Sequence, residues 1–79
     1  MPLQITVNIK GHLMDLYPHL KARTVIENEG PITVSEVIQS LGVSSKMVLF
    51  VTKDERIIAK DTWLESDCEI NLLSPPAGG

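Results

Sequence analysis

One stretch of this 79-residue chain carries a helical period, and it starts at Thr33. Thr33 and Glu36 have the T-x-x-E spacing of a capping box, in which the threonine side chain accepts from the amide three residues on and the glutamate reaches back to the cap. Ile32 and Val37 stand at N′ and N4, the places of a hydrophobic staple. Val34, Val37, Ile38 and Leu41 follow at i, i+3, i+4 and i+7, one apolar stripe. Gly42 stands where a left-handed C′ residue closes a helix. The β-branched residues make this a mediocre helix alone, so burial of the stripe supplies most of its stability.

The remaining periodic segments alternate. Leu3, Ile5, Val7 and Ile9 share one face and Gln4, Thr6 and Asn8 the other, a strand with one side on a core. Gly11 and His12 open a break that leads to Tyr17-Pro18, where proline disfavours both helix and ladder. From His19 to Asn28, Leu20, Ala22, Thr24 and Ile26 alternate with Lys21, Arg23, Val25 and Glu27, an antiparallel partner joined through a loop near residues 11–18. Asn28-Glu29-Gly30-Pro31 reads as a turn.

Past the helix, the apolar run from Met47 to Thr52 reads as a central strand buried on both faces, or else a strand with one sticky exposed face. Lys53-Asp54-Glu55-Arg56 is a charged turn and Ile57-Ile58 a short return. Trp63 and Leu64 form an anchor pair pinning a polar loop. Cys68, Ile70 and Leu72 alternate with Glu69 and Asn71 in a last strand, ended by Pro75 and Pro76. The expected architecture is α+β, a β-grasp: a mixed four- to five-stranded sheet, the first and last strands parallel central neighbours, and one main helix across one face.

Composition excludes several functions. A hydrophobic fraction of 43% and a charged fraction of 22% describe a folded chain. The net charge is −3 and the seven Lys and Arg are scattered, so no phosphate-tracking patch invites nucleic acid. No apolar run approaches the roughly 20 residues of a membrane span, and Met1-Pro2-Leu3-Gln4 lacks the start of a secretory signal. Cys68 is the one cysteine, which fits a reducing cytoplasm. An iron–sulfur cluster takes about four cysteines. His12 and His19 have no second ligand at metal spacing, and no metal site is expected.

The chain therefore divides into a domain over residues 1–73 and a flexible tail over 74–79. Pro75 and Pro76 make the tail a stiff spacer. Gly78 and Gly79 strip its end of side chains, so the backbone can approach another surface closely. Six extended residues reach about 20 Å, enough to carry the Gly79 carboxylate into a narrow active site on a partner. A frayed terminus has the same composition, so the body decides between the two.

Element order and the Gly-Gly ending together resemble the ubiquitin-like sulfur carriers, the family of the molybdopterin-synthase small subunit and the thiamine-pathway carrier. The likeness spans the chain and is most specific in Leu64-Glu65-Ser66-Asp67-Cys68-Glu69-Ile70-Asn71-Leu72-Leu73-Ser74-Pro75-Pro76-Ala77-Gly78-Gly79, with the helix at Thr33-Val34 similar as well. Ser66 stands where a glycine is common, and the ending is one residue shorter than the molybdopterin type. The resemblance implies a carrier or co-substrate rather than an enzyme, at most the non-catalytic small subunit of a sulfurtransferase. An ATP-dependent, ubiquitin-activating-like adenylyltransferase would adenylate Gly79, and a sulfur donor would convert the adenylate to a thiocarboxylate. A sulfur-accepting enzyme would then draw on it for molybdopterin or thiamine synthesis. It implies no bound cofactor, ATP belonging to the activating partner, and a free chain that is a monomer. Pro75, Pro76, Ala77 and Gly78 would thread the partner's active site.

Leu73, Leu49 and Val51 form either an apolar docking patch beside the tail or part of the core. Cys68, on the face of Ile70 and Leu72, reads as a core thiol. Glu65, Asp67 and Glu69 read as a solvated turn, or as an acidic rim that steers a basic partner. The main alternative function is a ubiquitin-like modifier joined through Gly79 to lysines of other proteins, and a small binding module is the third.

Overall fold

The computed structural model describes residues 2–10, Asp15 and residues 17–74. Strand β1 (Leu3–Lys10) buries Ile5, Val7 and Ile9 and turns Gln4, Thr6 and Asn8 outward, as its alternation dictates. Strand β2 (Arg23–Asn28) pairs with it antiparallel, Leu3 opposite Asn28 and Asn8 opposite Arg23. One more bond, Ile9 N–H to Ala22 O at 2.9 Å, extends that ladder. His19 to Ala22 are not strand, contrary to the sequence expectation. Tyr17-Pro18-His19-Leu20 is a turn closed by Leu20 N–H to Tyr17 O, with Pro18 at a position that favours its fixed φ. His19 is drawn to the helix end, its Nε2 donating to Leu41 O at 3.0 Å. Tyr17 Oη accepts from Ser44 N–H. Carbonyls at a helix C-terminus lack intrahelical partners, so an outside donor is favourable there.

The helix α1 (Val34–Ser40) begins as its cap demands. Thr33 Oγ1 accepts from Glu36 N–H at 3.2 Å and Glu36 Oε1 accepts from Thr33 N–H at 3.4 Å. Val34 and Ser35 N–H are satisfied from outside, by Thr62 O and Lys60 O. The helix ends in a Schellman motif: Gly42 at φ 76° donates to Gln39 O, and Val43 donates to Ile38 O. Val43 and Ile38, the apolar pair that accompanies this motif, are both buried.

Ile32 and Thr33 also form a two-residue strand, β3 (Ile32–Thr33), which pairs antiparallel with β6 (Trp63–Leu64). This small second sheet was not visible in the sequence. It corrects the anchor reading of Trp63-Leu64: neighbours on a strand face opposite ways, so Leu64 is buried and Trp63 is 58% exposed.

The apolar run after the helix is also split. Residues Ser45–Met47 form a 3₁₀ turn capped by Ser44, whose Oγ accepts from Lys46 N–H. Strand β4 (Phe50–Lys53) follows, joined to β5 (Arg56–Ile58) by Asp54-Glu55. The run is not buried on both faces. Val48 and Val51 enter the core, while Leu49 and Phe50 are exposed. The last strand, β7 (Cys68–Leu73), lies between β1 and β4, parallel to the first and antiparallel to the second. The main sheet order is β2-β1-β7-β4-β5 with α1 across its inner face, a ubiquitin-like β-grasp fold. Ile5, Val7, Val34, Val37, Ile38, Leu64, Ile70 and Leu72 are fully buried, and no polar side chain among the described residues is.

The β4–β5 turn holds both its residues at positive φ, Asp54 at 53° and Glu55 at 65°, the conformation of a type I′ hairpin. Aspartate tolerates this region; glutamate has no local hydrogen bond to offset its Cβ clash. Glu55→Gly is expected to stabilise the domain by about 1 kcal/mol, read as a rise of roughly 4–8 °C in the thermal midpoint. An unchanged or lower midpoint would contradict the strain at Glu55.

Candidate functional site

The geometry of interest is where β7 ends. Leu73 is the last ladder residue, opposite Lys10 of β1 and Phe50 of β4. Leu49 N–H donates to Leu73 O at 2.8 Å, one rung beyond β4. The chain therefore leaves the sheet from its middle strand, held on both sides up to the residue before Ser74. Gly79, Gly78, Ala77, Pro76 and Pro75, the residues assigned to the threading tail, lie outside the described residues, as does His12.

Paired residues share a face, so Lys10, Leu73 and Phe50 make one row on the outer side of the sheet. Leu49 is 50% exposed, Phe50 44%, and Leu73 is half-buried. Two of the three residues assigned to the docking patch thus lie beside the tail root. Val51 does not. It pairs with Leu72, points into the core and is 1% exposed. Phe50, between Leu49 and Val51 in the same run, takes its place at 44% exposed. The inward pairing of Val51 with Leu72 turns Phe50 outward, and that register is a tertiary fact.

Below this row, whose apolar members are Leu73 and Phe50, the outer face is polar. Asn8 Nδ2 donates to Asn71 Oδ1 at 3.1 Å and to Glu69 Oε2, and Asn71 Nδ2 donates to Thr52 Oγ1 at 3.1 Å. Arg23 stands 3.9 Å from Glu69 across the same face. The pair is exposed and contributes little to stability. Glu69 is thus bound into this belt, apart from the turn in which Glu65 and Asp67 sit; Asp67 Oδ1 accepts from Gln4 N–H. The belt leaves the apolar row as a bounded patch at the tail root.

Cys68 lies at the other end of β7 and packs against the core. Burial pushes its thiol up from the ordinary value, Lys53 pulls it down, and Asp54 and Asp67 add to the rise. A raised thiol favours the neutral form in the fold. Its contribution to stability is present below the unfolded pKa and is lost as pH rises through the folded one. Folded protein at pH 8 is expected to react with iodoacetamide several-fold more slowly than the same chain in urea. Equal rates would contradict the half-buried setting. Among the described residues no three His, Cys, Asp or Glu come together to hold a metal, and no helix is long and apolar enough to cross a membrane.

Comparison with known proteins bears on this geometry directly. The ThiS family profile matches residues 7–79, from the first strand through the Gly-Gly ending. The chain belongs to the ThiS family. No curated protein matches it. ThiS-family proteins are sulfur carriers of thiamine and molybdopterin biosynthesis, small and generally non-catalytic. They generally work with an adenylyltransferase and with sulfur-accepting enzymes. In this chain Leu49, Phe50 and Leu73 lie exposed or half-buried beside the tail root.

Proposed function

We propose that this chain carries sulfur on the carboxyl carbon of Gly79. The observation that supports this reading is the family match running through residue 79, in a chain whose last described strand, ending at Leu73, is fixed at the middle of the sheet. In the first step a Gly79 carboxylate oxygen attacks the α-phosphorus of ATP on the activating enzyme, and pyrophosphate leaves. A carboxylate is a poor electrophile; the acyl-adenylate is not. In the second, the outer sulfur of a donor persulfide attacks the acyl carbon and AMP leaves; a thiol then attacks the donor's own sulfur in the resulting acyl disulfide, forming a mixed disulfide with the donor and releasing the thiocarboxylate. This group ionises readily and presents a soft nucleophilic sulfur near neutral pH. Gly78 and Gly79 let the end pass through a channel that a Cβ would obstruct, and Pro75-Pro76 lowers the ordering cost of docking. The body binds no cofactor of its own, ATP belongs to the partner, and the reaction runs in a reducing cytoplasm. The acceptor enzyme serves thiamine or molybdopterin synthesis.

Intact mass tests this. Incubation with the activating enzyme, ATP and a sulfur donor is expected to raise the mass of the chain by the oxygen-to-sulfur difference. Ladders of higher-mass conjugates would instead identify a protein modifier. Neither product with a competent activating enzyme would leave a binding module.

Docking through the apolar row has its own test. Phe50→Asp is expected to weaken binding to the activating enzyme at least about tenfold, as loss of a buried aromatic anchor does. Because Phe50 is only half-covered, stability should fall by no more than about 1–2 kcal/mol, leaving the domain folded. Unchanged binding by the folded variant would remove the patch from the interface.

A further inference from the structure

We infer that the outer face of the β3–β6 ladder is a second docking surface, one that takes an arginine-bearing segment of a protein partner at the Cys68 end of β7, opposite to Leu73. Trp63 stands outward on β6, 58% exposed, while Leu64 beside it is fully buried. It is the one tryptophan of the chain, and the core is complete without it. Tryptophan is the residue type most enriched among strong protein contacts, and its ring face attracts cations, arginine above lysine because the planar guanidinium also stacks.

The charge around the ring selects the occupant. Thr33, the cross-strand partner of Trp63, donates from Oγ1 to Glu36 Oε1 at 3.0 Å, which holds one carboxylate beside the pair. Asp61 and Glu65 flank Trp63 two residues away on either side, both exposed. The adjacent cation is occupied elsewhere, since Lys60 Nζ donates to Ser45 O at 2.6 Å. Among the described residues neither Asp61, Glu65 nor Glu36 forms an ion pair. An exposed aromatic side chain with two exposed carboxylates two residues away along the chain and a third held by its cross-strand partner complements a guanidinium.

The topology separates this face from the tail root. Residues 65–67 connect β6 to Cys68, the start of β7, whereas the tail leaves after Leu73. The length of β7 between them is about 17 Å. A partner held at Trp63 leaves the Leu49, Phe50 and Leu73 row open to another. This proposal does not depend on the chemistry assigned to Gly79.

Because Trp63 is the sole tryptophan, its emission reads the face directly. Titration of the full chain in low salt with a capped tetra-arginine peptide is expected to change that emission saturably. Tetra-lysine should bind more weakly, and deletion of residues 75–79 should alter nothing. Replacing the three carboxylates together (Glu36→Gln, Asp61→Asn, Glu65→Gln) should weaken binding about fivefold; glutamine at position 36 retains the capping geometry. Backbone amide shifts of the unaltered chain provide a readout that needs no variant, and they should centre on residues 33, 36 and 61–65. Three results would overturn the proposal: a linear response without saturation, equal binding by the folded triple variant, or shifts centred on Leu49, Phe50 and Leu73.

Discussion

Removal of Gly79 is expected to lower sulfur loading at least about a hundredfold while the body stays folded. Shortening the chain by one residue withdraws the terminal carboxylate by roughly 3.5 Å, and misplacement of a reacting group by about 1 Å can already cost a hundredfold. The body should not register the change, because its ladders end at Leu73 with the rung from Leu49. The thermal midpoint should move by no more than about 3 °C. Mass spectrometry after incubation with the activating enzyme checks the first part and circular dichroism the second. Full loading of the shortened chain would place the reactive carbon elsewhere. Unfolding of the shortened chain would mean that the tail is part of the body's stability.

Ile70→Ala should have the largest effect on the body. Ile70 is fully buried on β7, opposite Val7 on one side and Lys53 on the other. Removing three carbons there loses their transfer energy and leaves a cavity, about 3 kcal/mol in all. A chain of this length has roughly 4–12 kcal/mol to lose. The expected fall in midpoint is roughly 12–24 °C. Val25→Thr, on the exposed face of edge strand β2, is the control and should stay within about 0.5 kcal/mol. A small effect at Ile70 would mean that the sheet centre is not the core of the domain.

Much of this was legible in the sequence because local and tertiary demands agree. Thr33, Glu36 and Gly42 specify the helix ends by local chemistry alone, and both caps form as written. Leu3 to Ile9 and Cys68 to Leu73 alternate cleanly because each has one buried face, and their parallel pairing follows from the order of elements. The failures share a cause. Met47 to Val51 is apolar throughout, and composition cannot say that the chain must first turn through Ser45–Met47 to reach the sheet. The β3–β6 ladder is two residues long on each side, too short to show a period. Trp63 and Leu64 read as one anchor pair because both are apolar in a polar stretch, but neighbours on a strand face opposite ways, which puts Trp63 outside. Phe50 was missed, and Val51 misplaced, by the same single step of register.

The position of β7 has a mechanical consequence. When a partner grips the end of the chain and draws on it, the load passes into a strand bonded along its length to β1 on one side and to β4 on the other. Pulled along its axis, such a strand is loaded in shear, and many rungs resist together; a strand pulled sideways off the edge, as β5 could be, would peel open one bond at a time. The domain can thus be handled by its end, repeatedly, without coming undone.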